Sequence, residues 1–241
     1  MEKMSIEKRI FAAIICIAAV LVAIPARTGA QELSVGGDLV SSYVWRGAYC
    51  GGVSIQPTLS FSAGGFSLTA WGSVGFTSPA YLEEFDFTAG YSVGGLSLAI
   101  TDYWFVFRAV DNSEDLPDYF NYKDGETAHM FEGSAAYDFG PLALAWNTFF
   151  AGADVNSKGK RAYSTYIEAS APFKVGAFGL KAELGITPWD GLYADKFNVA
   201  NIGITGSKEI KVTDSFGIPA FTKVIFNPAA KQTHFVFGIS L

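Results

Sequence analysis

The chain has 241 residues, of which 50% are hydrophobic and only 17% are charged, with a formal net charge of −6. This length suits one large domain or two small ones. An acidic chain without basic clusters argues against a nucleic-acid partner. Only one apolar run is long, and it lies at the N-terminus, so the composition does not indicate a bundle of membrane helices.

Residues 1–30 have the pattern of a secretory signal peptide. Lys3, Lys8 and Arg9 form a basic start, residues 10–24 form a short apolar core, and small residues at 28–30 precede a cleavage site before Gln31. A transmembrane anchor is the alternative, but the run is short for the roughly 20 residues that a spanning helix needs. We therefore expect residues 31–241 to form the mature domain.

The mature chain offers no disulfide, because Cys50 is its single cysteine. A metal or redox role for Cys50 would need histidine or further cysteine partners, and the chain has only His129 and His234. No phosphate-binding loop, metal-ligand cluster or nucleophile motif is apparent, so we predict no cofactor.

The first mature segment, residues 33–47, alternates strictly between two kinds of side chain. One parity is mostly apolar and ends in Tyr43 and Trp45, whereas the other is small or polar and contains Asp38 and Arg46. Successive side chains of a strand point to opposite faces. An apolar face outside and a polar face inside are typical of a membrane-spanning barrel with a wet lumen.

Later segments repeat this plan, and tight turns with glycine or proline separate many of them. With the first segment they make about twelve predicted strands, at 33–47, 53–62, 66–76, 84–93, 96–107, 129–139, 142–150, 163–171, 178–187, 198–210, 218–226 and 233–241. In the fifth, Asp102 falls on the apolar parity, and a bulge near Thr101 and Asp102 would restore that face.

The predicted fold is therefore an all-β, antiparallel, up-and-down transmembrane barrel of about twelve strands. The last strand should pair with the first, because a closed barrel leaves no edge in lipid. Connections are mostly short and long in turn, and periplasmic turns are the short ones, so both termini should be periplasmic. A soluble β-sandwich or lipocalin-like barrel also alternates, but it would have to pack the whole apolar set inside.

The motif Tyr43-Val44-Trp45-Arg46-Gly47, followed by Gln56-Pro57 and by Trp71 within a glycine-rich third strand, resembles the TorF family of porin-like bacterial outer-membrane barrels. The ending at residues 234–241 is similar to the terminal strand that such proteins present to the barrel assembly machinery, although it ends in leucine. The resemblance implies a location in the outer membrane of a Gram-negative bacterium, contact with its lipid, and a porin-like fold.

The lumen is the candidate functional site. The inward parity carries more acidic than basic side chains, with Trp71 among them: Asp38, Arg46, Glu84, Asp86, Glu132, Asp138, Glu168, Lys181, Glu183 and Lys223. Barrels of about 8 strands are filled by side chains and those of 16–18 hold a channel, so twelve lies between. Two functions stay open: passive diffusion of small solutes or ions, with a mild cation preference, and a structural or loop-binding barrel with a filled lumen.

A third function, an outer-membrane lipid-modifying enzyme, is disfavoured. Such a barrel needs a nucleophile, a histidine and a carboxylate or amide together on its lipid face. His129 has the outward parity, but no outward serine or asparagine is beside it, so we predict that the protein is not an enzyme.

Two further features concern the surface. The longest loop, residues 108–127, is acidic, and could be solvated or fold into the lumen as a plug, but its acidic spacing does not match a calcium-binding EF-hand loop. Trp45, Trp104, Trp146 and Trp189 lie near strand ends, where an interfacial aromatic girdle is expected.

Overall fold

The computed structural model describes residues 31–76, 81–108, 117–123, 125–156, 158–214 and 216–241. The predicted signal peptide, and the acidic residues Asp111, Glu114 and Asp115 of the longest loop, lie outside these ranges. Among the described residues, no helix has the length and apolarity needed to cross a membrane.

Alternating sequence produces strands throughout the described chain. The strands are β1 (Glu32–Val40), β2 (Tyr43–Trp45), β3 (Ala48–Gly51), β4 (Ser54–Ala63), β5 (Phe66–Gly75), β6 (Tyr81–Val93), β7 (Leu96–Arg108), β8 (His129–Asp138), β9 (Ala143–Gly152), β10 (Thr165–Val175), β11 (Phe178–Thr187), β12 (Asn198–Lys211), β13 (Gly217–Asn227) and β14 (Gln232–Ser240).

Twelve of these strands close into one antiparallel barrel, in which each strand pairs with its neighbours in the chain order β1, β4 to β14. The predicted fold class and strand number are therefore confirmed. The barrel closes where β1 meets β14, with Asp38, Leu39 and Val40 opposite Ser240, Ile239 and Gly238. Two backbone hydrogen bonds between Gly37 and Leu241 extend this seam.

The two rims differ in their connections. Glu32 and Ser240 lie at the rim that carries the tight turns at 64–65, 94–95 and 176–177, which we call the lower rim. The strand ends Arg108, Gly152 and Thr187, from which the longer connections start, lie at the opposite, upper rim. Both ends of the barrel domain therefore lie at the lower rim.

The barrel wall has its large apolar side chains outside and its polar side chains inside. Leu59, Leu144 and Phe237 are 43–48% exposed, whereas Glu132 and Ser73 are 1% exposed. A soluble sandwich or lipocalin-like barrel would bury the first set, so its packing is contradicted. The outer surface is what a lipid-facing barrel presents, since charged groups on that face are costly.

The expected bulge in β7 is wrong. The pairing of β6 with β7 runs without a shift through Thr101 and Asp102, and so does the pairing of β7 with β8. Asp102 faces outward, but its Oδ1 lies 2.7 Å from Nδ1 of His129. Because this outward carboxyl group has a partner, the strand needs no register change to remove it from the apolar face.

The first strand is shorter than predicted, and this changes the interior. β1 ends at Val40, the chain turns at Ser41 and Ser42, and residues 43–51 form a separate two-stranded sheet, β2 paired with β3. We call this the plug hairpin. The first predicted strand therefore contributes only residues 32–40 to the wall, and the rest of residues 33–47 lies within the barrel.

Candidate functional site

The plug hairpin turns through Arg46 and Gly47, which both have positive φ, at 50° and 83°. Positive φ at both central positions is typical of the tight type I′ turn that joins two antiparallel strands. A side chain at position 47 would collide with the backbone carbonyl of Ala200 in β12. Only glycine therefore fits where the tip of the hairpin meets the opposite wall.

Contacts of the hairpin reach strands around the barrel. The Tyr43 ring lies 5.6 Å from that of Trp71 in β5, and the Tyr49 ring stacks at 6.1 Å on His234 in β14. Asn227 of β13 donates a hydrogen bond of 3.0 Å to the carbonyl of Gly47. The hairpin therefore lies across the lumen rather than against one side.

Trp45 is the main apolar anchor of the hairpin. Its ring centroid lies 5.6 Å from that of Tyr103, 5.9 Å from Tyr193 and 6.5 Å from Phe149, which is fully buried. Such tilted and edge-on pairs are the favoured aromatic geometries. The expectations that Trp45 belongs to an interfacial girdle and that Tyr43 shares its outward face are wrong, because the chain bends inward before them and their rings pack inside the barrel.

Arg46 is the polar anchor. Its guanidinium donates to both carboxylate oxygens of Glu132 in β8, at 2.5 and 2.8 Å, and to the hydroxyl oxygen of Tyr193 at 2.6 Å. The same group lies 4.4 Å from the Trp45 ring. Glu132 also accepts a hydrogen bond of 3.1 Å from Tyr103. The pair is bidentate and almost free of solvent, with side-chain exposures of 12% and 1%.

Tyr193 comes from the upper-rim connection at 188–197, which is itself held by the connection at 153–164. Ser164 accepts a hydrogen bond of 2.7 Å from the backbone of Leu192, and its hydroxyl donates to Asp154 at 2.5 Å. Burial raises the pKa of the Tyr193 hydroxyl above its usual value. This phenol is therefore a neutral hydrogen-bonding group at the tip of the hairpin.

Two cavities that share no lining residue lie on either side of the hairpin. One, of about 270 Å³, is lined largely by aromatic and apolar side chains, including Trp45, Phe105 and Met130. The other, of about 160 Å³, is lined both by polar side chains such as Asp38, Gln56 and Lys223 and by apolar ones such as Val40 and Val236. The hairpin therefore divides the lumen.

The lumen carries a second charged group, which we call the charged band and which adjoins the hairpin through Tyr166, whose ring lies 5.0 Å from the Arg46 guanidinium. Nζ of Lys181 lies 2.7 Å from Glu183 and 3.9 Å from Glu168. Glu168 also accepts a hydrogen bond of 2.7 Å from Tyr166. The Lys181 side chain is 44% exposed, so this band is open to solvent where the Arg46–Glu132 pair is not.

The remaining residues predicted to line the lumen lie in several different environments. Asp38 accepts a hydrogen bond of 2.7 Å from Ser240 across the seam, and Nζ of Lys223 lies 5.4 Å from the Phe221 ring. Glu84 and Asp86 are buried at 5% and 8% exposure. Asp138, by contrast, is exposed at the lower end of β8, where it accepts the N–H of Gly140.

Cys50 lies in β3 of the plug hairpin, which does not span the membrane. Its Sγ is 3.6 Å from the carbonyl of Ala48, and burial raises the pKa of the thiol to about 12. A thiol with so high a pKa carries little thiolate near neutral pH, so it is a weak nucleophile.

On the outside, His129 and Asp102 are covered by the described part of the longest loop. Nε2 of His129 lies 2.6 Å from the carbonyl of Tyr119, and the Tyr122 ring stacks on the imidazole at 4.2 Å. Both ring nitrogens are thus occupied, and neither is available to activate a nucleophile. Residues 117–123 pack on the outer wall, so this part of the loop does not plug the lumen; the plug is the β2–β3 hairpin.

The other predicted girdle residues differ among themselves. Trp146 and Trp189 are 47% and 40% exposed, whereas the Trp104 ring packs edge-on against Tyr119 at 5.3 Å. Trp189 also donates a hydrogen bond of 3.0 Å to the carbonyl of Tyr163.

No protein-family model matches the chain, and no curated protein matches it. Among solved structures, the COG4313 outer membrane channel from Pseudomonas putida F1 is similar, with 14% identity over 89% of this chain and 94% of that one, at a TM-score of 0.42. A chain from the structure "Unveiling the Mechanism Behind the in-meso Crystallization of Membrane Proteins" shares 9% identity over 88% and 83% of the two chains, also at a TM-score of 0.42. At these values, what either protein does is not carried over to this chain.

Proposed function

We propose that the protein is a narrow outer-membrane channel for small solutes or ions, in which the plug hairpin sets the width of the path. The observation that carries this proposal is the division of a polar lumen by an inserted segment within a wall that is apolar outside. The resemblance of residues 43–47 to the TorF barrels supports the same assignment, with the short connections and both termini on the periplasmic side.

The physical argument concerns what fills the lumen. Beyond the hairpin, the inner wall is formed by small hydroxyl residues and by the solvent-exposed charged band, which leave room for water. The hairpin is attached to the wall by packing and by hydrogen bonds, and the main chain joins it to the wall only at its two ends. A segment of this kind narrows a channel without being part of its wall.

The experiment is single-channel recording in planar bilayers. The wild-type barrel is compared with a variant in which residues 43–51 are replaced by Asn-Gly, a sequence that closes a two-residue turn. We expect small unitary currents from the wild type and clearly larger currents from the shortened variant. Reversal potentials in a KCl gradient test the cation preference, and a value of zero would contradict it.

The second candidate is a structural or loop-binding barrel with a closed lumen. The many contacts of the plug hairpin with the wall favour it. The same recordings decide between the two, because a closed barrel gives no wild-type current at any voltage, whereas the shortened variant conducts. That result would contradict the channel proposal.

A further inference from the structure

A patch of the inner wall between β4 and β6 holds four buried polar side chains, each of which has one atom without a hydrogen-bond partner among the described residues. Gln56 is 8%, Ser73 1%, Glu84 5% and Asp86 8% exposed. In the described part of the chain, Gln56 Nε2, Ser73 Oγ, Glu84 Oε2 and Asp86 Oδ1 have no hydrogen-bond partner. Buried polar groups are normally paired, so four unpaired atoms on adjacent strands need a physical explanation.

The strand register places these side chains together. Ser73 of β5 is the cross-strand partner of Glu84 in β6, and Trp71 is the partner of Asp86. Directly opposed residues have Cβ atoms about 5 Å apart. Glu84 and Asp86 are two positions apart in one strand and therefore share a face.

Gln56 extends the patch onto β4. Ile55 pairs with Val74 and Thr58 with Trp71, so Gln56 lies next to Ser73 along the same face. The four side chains therefore form one continuous polar surface. The Tyr43 hydroxyl of the plug hairpin and the Asp86 carboxyl both lie within hydrogen-bonding reach of Glu84.

Charge distinguishes this patch from two other inward-facing acids. Glu132 is paired with Arg46, and Glu183 with Lys181. Within the described ranges, neither Glu84 nor Asp86 forms an ion pair with a basic side chain. Two buried carboxylates within reach of each other are costly unless a shared proton or a bound cation compensates their charge.

We propose that this patch binds a divalent cation of the Ca²⁺ type. Glu84 and Asp86 supply the two negative charges, and Ser73 supplies a hydroxyl oxygen. Gln56 supplies its amide carbonyl once the amide group turns about its terminal bond, which exchanges the positions of its oxygen and nitrogen. An all-oxygen set with two carboxylates is what hard divalent cations prefer.

The proposed site has only two ionisable ligands. Within the described residues, no group of three histidine, cysteine, aspartate or glutamate side chains converges on one point. The site therefore depends on two carboxylates supplemented by neutral oxygens. It does not depend on whether the barrel conducts.

The test is luminescence of Tb³⁺, which replaces Ca²⁺ at oxygen sites and emits when a nearby tryptophan is excited. With the barrel refolded in detergent micelles, we expect Trp71-sensitised emission that Ca²⁺ competes away. The double variant Glu84→Gln/Asp86→Asn keeps the size of both side chains and should weaken Tb³⁺ binding more than about tenfold. Unchanged binding in that variant, or no saturable emission from the wild type, would overturn the proposal.

Two controls keep the result specific. Glu126→Gln changes an exposed loop carboxylate whose side chain is 57% exposed, and it should leave the titration unaltered. Trp71→Phe should lose the sensitised emission yet retain the stabilisation that Ca²⁺ gives against thermal unfolding, because a ligand that binds only the folded state stabilises it. If Glu84→Gln/Asp86→Asn retains that Ca²⁺ stabilisation as well, the bound cation lies elsewhere and the site is wrong.

Discussion

Two ion pairs inside the same barrel show how strongly burial determines what an ion pair contributes to stability. Arg46 and Glu132 meet in a bidentate contact with 12% and 1% exposure, enclosed by Trp45, Tyr103 and Tyr193. Lys181 and Glu183 meet at 2.7 Å, but the lysine is 44% exposed. Breaking a buried pair by removing one partner leaves an uncompensated charge, whereas a solvated pair contributes little.

The two sets of charges have different structural roles. The Arg46–Glu132 pair joins the plug hairpin to the wall, and its loss should release the hairpin. The charged band belongs to the wall itself, and its loss should change the local charge alone. Cys50, within the hairpin, reports on the difference, because its labelling by a maleimide needs the thiolate.

The largest effect is expected from Glu132→Gln. This change leaves the Arg46 guanidinium buried without its counter-charge, which should cost about 3–5 kcal/mol in the seating of the hairpin. With the hairpin released, the pKa of Cys50 should fall from about 12 towards the ordinary thiol range. Labelling at pH 8 should therefore accelerate by up to about a thousandfold, since each pKa unit is a factor of ten in thiolate.

The dependence of the labelling rate on pH tests whether a fall in the pKa of Cys50 causes the acceleration. Burial raises the pKa of Cys50, so in the wild type the rate should continue to rise with pH well above 9, whereas in Glu132→Gln it should level off near the ordinary value. The double variant Arg46→Met/Glu132→Met replaces the pair by apolar groups and should restore slow labelling. Fast labelling in the double variant would mean that the pair does more than avoid an unpaired charge.

A smaller effect is expected from Gly47→Ala, which leaves every charge in place. The new Cβ collides with the carbonyl of Ala200 and forces a residue with a side chain to keep a positive φ. Strain of this kind costs about 1–3 kcal/mol, so labelling of Cys50 should accelerate by about 5- to 150-fold. Gly64→Ala is the matched control, because Gly64 also has positive φ but meets nothing within 4 Å. Equal acceleration in both variants would assign the effect to the barrel rather than to the hairpin tip.

The smallest effect is expected from Glu183→Gln. Its partner Lys181 is well solvated, so the change should alter the free energy of unfolding by about 0–1 kcal/mol and leave Cys50 labelling unchanged. Thermal unfolding in micelles and the labelling rate measure the two quantities. A labelling rate close to that of Glu132→Gln would show that the charged band also holds the hairpin.

Sequence alternation was sufficient to predict the barrel, its strand number and its closing pair, because each of these follows from a period of two repeated along the chain. It was not sufficient at residues 41–47. There the alternation continues without interruption, and an apolar side chain that faces lipid has the same pattern as one that packs into a plug. The local signal of the plug hairpin is the Arg46–Gly47 pair, which forms the two-residue turn at its tip. The segment that follows this turn is too short to span a membrane.

Contacts between residues that are distant in the sequence could not be predicted from the alternation either. Parity predicts that Arg46 and Glu132 are inward, but they are 86 residues apart, and only the insertion of the plug hairpin into the closed barrel brings them together. Asp102 shows the reverse case. Its place on the apolar parity suggested a bulge, while the residue that compensates it, His129, lies on the neighbouring strand at a register that alternation does not specify.

The seam between β1 and β14 also determines an order of assembly. The two strands are joined over only a few residues near Gly37 and Leu241, although almost the whole barrel domain separates them in the chain. Closing so long a loop is entropically the costliest step, so it should come last. The plug hairpin directly follows β1, and it must therefore be enclosed as the wall closes around it. The plug hairpin must therefore be in place before β1 and β14 pair, because it cannot be inserted into the closed barrel afterwards.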